Sequence, residues 1–228
     1  MSDTPLLDVR HLVRRGRDGR LLLDDVSFQV RRRERWGISG PTGAGKSVLL
    51  RAVALIDPTD SGEVRWNGAG IQRGDVPRYR SQAVYLHQKP AMLDGSVEDN
   101  LRAPFLLREH RERSFDKDRS IALLDQLGLS ASFLDKQSSD LSGGELQIAA
   151  LLRAMQLQPS VLLLDEPTAA LDADSVTRIE RLVAEWFAEL DTQRAVVWVS
   201  HDARQMARIA SHTLELDRGR VQGANGAA

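Results

Sequence analysis

The chain has 228 residues, 42% hydrophobic and 28% charged, with a net charge of -1 and no cysteine. That is enough chain for one full-cored domain with a subdomain, in an ordinary globular composition. The balance excludes an overall basic field for nucleic acid, any disulfide or thiolate metal site, and any apolar run near the roughly 18 residues of a membrane span. Met1–Asp8 lacks a charged-then-apolar signal pattern, so a membrane role is expected to come through a partner.

In chain order, Leu6–Val13 alternates loosely, Leu7, Val9 and His11 against Asp8, Arg10 and Leu12, and predicts a strand. Arg14–Arg20, basic and holding Gly16 and Gly19, predicts a turn; Leu21–Val30 predicts a second strand. Arg31-Arg32-Arg33 reads as a solvated turn, because Glu34 follows and no aromatic platform is interleaved. Arg35–Ser39 is short and partly apolar, as a buried strand would be. Val48–Ile56 lacks Gly and Pro and predicts a helix.

Between that strand and helix lies Gly40-Pro41-Thr42-Gly43-Ala44-Gly45-Lys46-Ser47, which fits the phosphate-binding pattern G-x-x-x-x-G-K-[ST]. Strand, loop, helix is the context the motif requires. Backbone N–H groups then point at phosphate oxygens and the helix dipole adds positive potential. Gly43 and Gly45 allow close approach, Lys46 can reach the β- and γ-phosphates, and the Ser47 hydroxyl can ligate Mg²⁺.

Asp57–Gly62 is turn chemistry, Glu63–Gly68 a strand running into an Asn-Gly turn, and Ala83–Leu86 a short strand ended by Gln88-Lys89-Pro90. From Ser96 to about Gln158 the pattern turns helical. Val97, Leu101, Phe105 and Leu106 form a stripe that Pro104 should kink or split. Ile121, Leu124, Leu127 and Leu129 follow, with Gly128 as a stop. Ser142-Gly143-Gly144-Glu145 opens a third helix along Leu146, Ala149, Ala150, Arg153 and Ala154. Val161–Leu164 is the most apolar strand candidate and ends in Asp165-Glu166-Pro167. Val176–Leu190 is an amphipathic helix, Ala195–Ser200 a buried strand ending at His201-Asp202. A short helix and Thr213–Leu216 close the fold, and Gly223–Ala228 is expected to be a disordered tail. Buried strands alternating with helices indicate an α/β fold with a parallel core.

After a phosphate loop, a strand-end Asp165 is placed to hold Mg²⁺, and Glu166 can face the γ-phosphate and take a proton from, or orient, an attacking water. Leu141-Ser142-Gly143-Gly144-Glu145 offers exposed N–H groups, a hydroxyl and a helix dipole to an anion. A plain capping box between Ser142 and Glu145 would explain the cap but not two helix-weakening glycines.

Together these residues resemble an ABC-type ATP-binding subunit over nearly the whole chain. Gly40–Ser47 is similar to Walker A, Gln88 to the Q-loop glutamine, Leu141–Glu145 to the ABC signature, Val161–Glu166 to Walker B, Ala170-Leu171-Asp172 to the D-loop and His201 to the switch histidine. The resemblance implies a P-loop NTPase with a mostly parallel core sheet, an antiparallel N-terminal β subdomain and an inserted helical subdomain. Residues 1–88 and 159–222 would form the ATP-binding core and 89–158 the helical part. It implies ATP and Mg²⁺ as ligands, with Ser47, Gln88 and Asp165 toward the metal, Glu166, His201 and Lys46 catalytic, and Gly40–Ser47 on the phosphates. It also implies a head-to-tail homodimer with ATP between the P-loop of one copy and Ser142-Gly143-Gly144 of the other. Asp172 would order that contact, and Gln88 would report to a membrane permease from a cytoplasmic, peripheral position. His11, His87, His110 and His212 read as surface or satisfied residues.

Two departures stand out. The family's adenine-stacking aromatic falls at Arg15 or Gly16, and Ile148 replaces an arginine usual after the signature. Short stretches, Asn100–Phe105, Leu157-Gln158-Pro159 and Val197–Asp202, are similar to the FetA type, associated with iron export. The alternative is a soluble ABC-type ATPase acting on nucleic acid or protein complexes. Chromosome ATPases separate the two motif halves with a long coiled coil, whereas about a hundred residues without sustained heptads do so here. Translation-type relatives carry two modules per chain, and a P-loop kinase would need an acceptor site and have no use for a second anion site.

Overall fold

A computed structural model describes residues 4–189 and 193–226. Its strands are β1 (Leu7–Arg15), β2 (Leu21–Val30), β3 (Arg35–Ser39), β4 (Ser61–Trp66), β5 (Ala69–Gly70), β6 (Ala83–Leu86), β7 (Val161–Asp165), β8 (Ala195–Val199), β9 (His212–Asp217) and β10 (Arg220–Gly226). Its α-helices are α1 (Lys46–Val53), α2 (Val76–Gln82), α3 (Val97–Arg102), α4 (Lys117–Gln126), α5 (Gly143–Met155), α6 (Ala173–Ala188) and α7 (Ala203–Ile209).

The chain divides into two compact units. The first takes the residues up to Tyr85, Ser160–Glu166, and everything from Gln193 on. Its larger sheet has the order β10-β9-β3-β8-β7-β6. β3 is parallel to β8 and β9, β7 is parallel to β8, and β10 is antiparallel to β9. β7 (VLLLD) and β8 (AVVWV) are buried at every position, the continuous apolar run of a sheet interior covered on both faces. The smaller sheet is antiparallel, β2-β1-β4-β5. In β2, Val26, Phe28 and Val30 are buried while Ser27 and Gln29 face out, the period of two of a half-buried strand. These residues join Leu7, Leu12, Ile38, Leu49, Leu50, Leu163 and Val197 in one core.

β10 corrects the expected tail. Gly223, Ala224 and Asn225 pair with Glu215, Leu214 and Thr213 of β9. Small residues read as unstructured, but a backbone ladder needs no side chain, and β9 offers an edge to pair with. Ala227 and Ala228 lie outside the described residues. α2 carries no clear apolar stripe in sequence. It is anchored by Tyr79, buried, whose hydroxyl donates to the Val53 carbonyl oxygen at 2.7 Å.

The second unit comprises Leu86–Pro159 and Pro167–Thr192. The helical stripe does break at Pro104: α3 gives way to a 3-10 turn over Ala103–Leu106. α3 and α5 begin with complete capping boxes, Ser96 with Asp99 and Ser142 with Glu145. The expected helical part, 89–158, gains 167–192 because α6 packs on α4. Arg178 Nη1 donates to the Leu127 carbonyl oxygen at 2.8 Å and Arg181 Nη2 to that of Gln126 at 2.9 Å, covering carbonyls that the end of α4 leaves unpaired. Leu190, the expected last residue of that helix, lies outside the described residues.

Candidate active site

In the first unit, β3 and α1 are joined by the glycine-rich loop, and α1 starts at Lys46 as the motif predicts. Pro41, Thr42 and Gly43 are exposed, while Ala44 is buried and its N–H bonds the Pro41 carbonyl oxygen at 3.1 Å, closing the turn. Lys46 is largely buried. Its ammonium spans the loop, donating to the carbonyl oxygens of Gly40 at 2.7 Å and Pro41 at 3.0 Å. An ammonium has three donors, so one remains for a phosphate oxygen.

Ser47, in the first turn of α1, donates its hydroxyl to Asp165 Oδ1 at 3.0 Å. Asp165 ends β7 and is 1% exposed. The next residue, Glu166, turns out of the strand at φ 47°, its N–H on the Val199 carbonyl oxygen at 3.1 Å. That brings its Oε2 to 3.7 Å from Nδ1 of His201, which follows β8 and is exposed. Parallel pairing of β7 with β8 thus sets the carboxylate beside the imidazole. Glu166 is only partly buried and open enough to meet water.

Residues missed in sequence complete this site. Tyr85 on β6 donates its hydroxyl to Asp165 Oδ2 at 2.9 Å. Burial, and then the Asp165 carboxylate, push the phenol's pKa well up, so it stays a donor. Arg51 of α1 lies beside Tyr85 and donates through Nε to Asp57 Oδ2 at 2.7 Å. The only sequence signal was a polar ring in a short apolar strand.

In the second unit, Gln88 is exposed two residues beyond β6. Ser142 and Gly143 are exposed at the start of α5. Ser142 Oγ accepts from Glu145 N–H at 3.3 Å, and Glu145 Oε2 accepts from Ser142 N–H at 3.0 Å. The capping box therefore exists, and it explains the serine and the glutamate. A Cβ on Gly144 would come within 2.9 Å of the Leu171 side chain, while one on Gly143 would meet nothing closer than 4.0 Å. Packing accounts for the second glycine and not the first. Asp172 caps α6, accepting from Ser175 N–H at 2.9 Å and Oγ at 2.7 Å. Those bonds hold its carboxyl below the usual range.

The other histidines are accounted for locally. His11 Nδ1 meets Asp25 at 2.7 Å, His87 Nδ1 accepts from Lys89 N–H, His110 packs by Phe105, and His212 stacks on Trp36. Arg15, where the adenine-stacking aromatic falls, is exposed, and Nη1 reaches the Gly19 carbonyl oxygen at 3.3 Å.

The donors fit Mg²⁺. Ser47 and Asp165 bring two hard oxygens to one place, and among the described residues no cluster of three or more His, Cys, Asp or Glu could hold a metal alone. That suits an ion that takes much of its coordination from phosphates and water. When bound, it would neutralise charge on the phosphate oxygens.

The ABC transporter family model matches residues 23–169. A relative named probable iron export ATP-binding protein FetA, from Escherichia coli (strain K12), is 34% identical over 97% of this chain and 98% of its own length. The tungstate uptake system ATP-binding protein TupC of Peptoclostridium acidaminophilum is 31% identical over 91% and 93%. Among solved structures, the dimeric ATP-binding cassette MJ0796, in a post-hydrolysis state with ADP and Pi, superposes with a TM-score of 0.86 at 24% identity, covering 97% of this chain and 99% of that one. Motif order, loop geometry and these matches agree: the chain belongs to the ABC transporter family, as an ATP-binding subunit that is an ATPase using ATP with Mg²⁺.

Proposed function

We propose that this chain is the motor of a transporter whose membrane permease is a separate protein. The observation that carries the reading is the Lys46, Ser47, Asp165, Glu166 and His201 constellation, assembled at the ends of the parallel strands β3, β7 and β8. Gly40–Ser47 wraps the phosphates, with Lys46 on the β- and γ-oxygens. Ser47 and Asp165 hold Mg²⁺, with Gln88 joining its water shell. Glu166 orients or deprotonates the attacking water, and His201 hydrogen-bonds the γ-phosphate. Ser142, Gly143 and Gly144 of a second copy close on the γ-phosphate, and Asp172 orders that contact. The exposed Gly143, which no packing explains, supports this.

No helix among the described residues is long and apolar enough to cross a membrane. The permease would hold the chain peripherally, on the cytoplasmic face. Leu93, Leu106 and Leu107 are exposed, Leu106 to 84%, in the stretch from Pro90 to Arg111 that would face the permease. Metal export, with iron as the cargo, is favoured by the FetA relative. Other relatives are named for tungstate uptake and for sulfate and phosphate import.

Light scattering of Glu166→Gln against wild type with Mg·ATP tests the motor. A dimer that persists with ATP in the variant and dissociates on hydrolysis in the wild type is expected. A variant that hydrolyses ATP at the wild-type rate removes Glu166 from the reaction. For the cargo, cells expressing the chain with its permease should lose ⁵⁵Fe faster than cells carrying Glu166→Gln. Equal loss rejects iron export.

A further inference from the structure

The Asp165 carboxylate is gripped at both oxygens. Oδ1 accepts from Ser47 at 3.0 Å and Oδ2 from Tyr85 at 2.9 Å, so it cannot rotate about Cβ–Cγ without losing a bond in a buried place. Tyr85 is held in turn. Arg51, one helical turn after Ser47 on α1, lies beside it. Arg51 is fixed by Asp57 at 2.7 Å, and Asp57 pairs with Arg14 of β1. A continuous line of polar contacts thus runs from β1 through α1 and β6 to the end of β7. Nothing in the ATPase chemistry described above uses Tyr85, Arg51 or Asp57. A phenylalanine would fill the space of Tyr85 equally well, so the hydroxyl needs a reason.

We propose that Tyr85 is a positioning residue for the nucleotide's Mg²⁺: it fixes Asp165 in the one rotation that leaves Oδ1 and the Ser47 hydroxyl facing the same ion, and Arg51 holds Tyr85 in that pose. This rests on the reading of Ser47 and Asp165 as the groups that hold Mg²⁺. Groups that orient a metal ligand from behind are worth about 10–100-fold in metal affinity.

The test is binding of the β,γ-imido analogue of ATP by calorimetry, once in excess EDTA and once in excess Mg²⁺. Tyr85→Phe should keep the EDTA affinity within about two-fold and weaken the Mg²⁺ affinity about ten-fold. Asp165→Asn reports on the underlying site and should abolish most of the Mg²⁺ benefit. If Asp165→Asn loses that benefit and Tyr85→Phe does not, the role of Tyr85 is overturned and the metal site stands. If Tyr85→Phe weakens binding equally in EDTA and Mg²⁺, the hydroxyl supports the loop, and the proposal again fails. If Asp165→Asn keeps the full benefit, the metal-site reading itself is wrong. Arg51→Gln leaves the hydroxyl in place but unclamped. It carries the test should Tyr85→Phe not fold: a smaller loss confined to Mg²⁺ is expected, and an unchanged ratio overturns the proposal.

Discussion

Gly40 and Gly43 belong to one loop and one motif, yet the structure gives them different work, and alanine at each separates the two. A Cβ on Gly40 would lie 2.0 Å from the Leu216 carbonyl oxygen and 3.1 Å from its carbon. Ordinary contact is more than an ångström longer. The atom that must yield is backbone of β9, paired to β10 at Val221. The backbone there also sits at φ 139°, closed to residues with a side chain. Strain of about 1–3 kcal/mol and overpacking of about 1–3 kcal/mol together come to roughly 4 kcal/mol. At Gly43 no atom lies within 4 Å of the built Cβ, and φ is 79°, so only the left-handed penalty of about 1–2 kcal/mol applies. The difference, roughly 2–3 kcal/mol, is about 4–12 °C in melting temperature for a chain this size. Calorimetry of the nucleotide-free proteins should find Gly40→Ala the less stable by that margin. Gly43→Ala should fold but bind ATP at least about ten-fold more weakly, because its methyl enters the space where the loop's N–H groups meet phosphate. Equal melting temperatures, or a Gly43→Ala protein with full ATP affinity, would refute this division of labour.

Three further outcomes are expected. Burial raises the Asp57 carboxyl, but hydrogen bonds from Arg51 and Arg14 outweigh it and hold the group below its ordinary value. The stability it adds is therefore complete above about pH 4 and is lost as pH falls through the lower folded value, so the melting difference between wild type and Asp57→Asn should be present at neutral pH and shrink in acid. The Gly16–Arg20 turn presents no aromatic ring, so GTP should compete with ATP within about ten-fold, and Arg15→Tyr should widen that gap; a strong ATP preference in the wild type would show that another group reads the base. Ser142→Ala removes a helix cap worth about 1 kcal/mol, a few degrees of melting temperature. Its ATPase rate should fall far more than that loss of stability explains, and a rate that merely tracks stability would return Ser142 to a capping role.

The chemistry was legible in the sequence because it depends on residue type at fixed local spacing. The phosphate loop must run from a strand into a helix, and Gly40–Ser47 does. β7 and β8 were legible because an interior parallel strand is a near-continuous apolar run, here broken only by Asp165 at the end of β7. The split at Pro104 followed from a missing N–H. Elsewhere local signals failed. Gly223–Gly226 carries no side-chain pattern and is ordered by a ladder with β9, a partner that sequence does not name. The grouping of α6 with the helical unit rests on Arg178 and Arg181 reaching carbonyls about fifty residues away in the chain, as long flexible cations can do from many positions.

The sequence by itself determined the family and the nucleotide, since the motifs that mark them are contiguous. The tertiary structure alone decided that Glu166 stands beside His201, that Gly40 is closed against β9, and that Asp165 is gripped by Tyr85 as well as Ser47. Those relations join residues 35 to 176 positions apart, and they exist only because one sheet sets segments distant in the chain side by side, which no local spacing encodes.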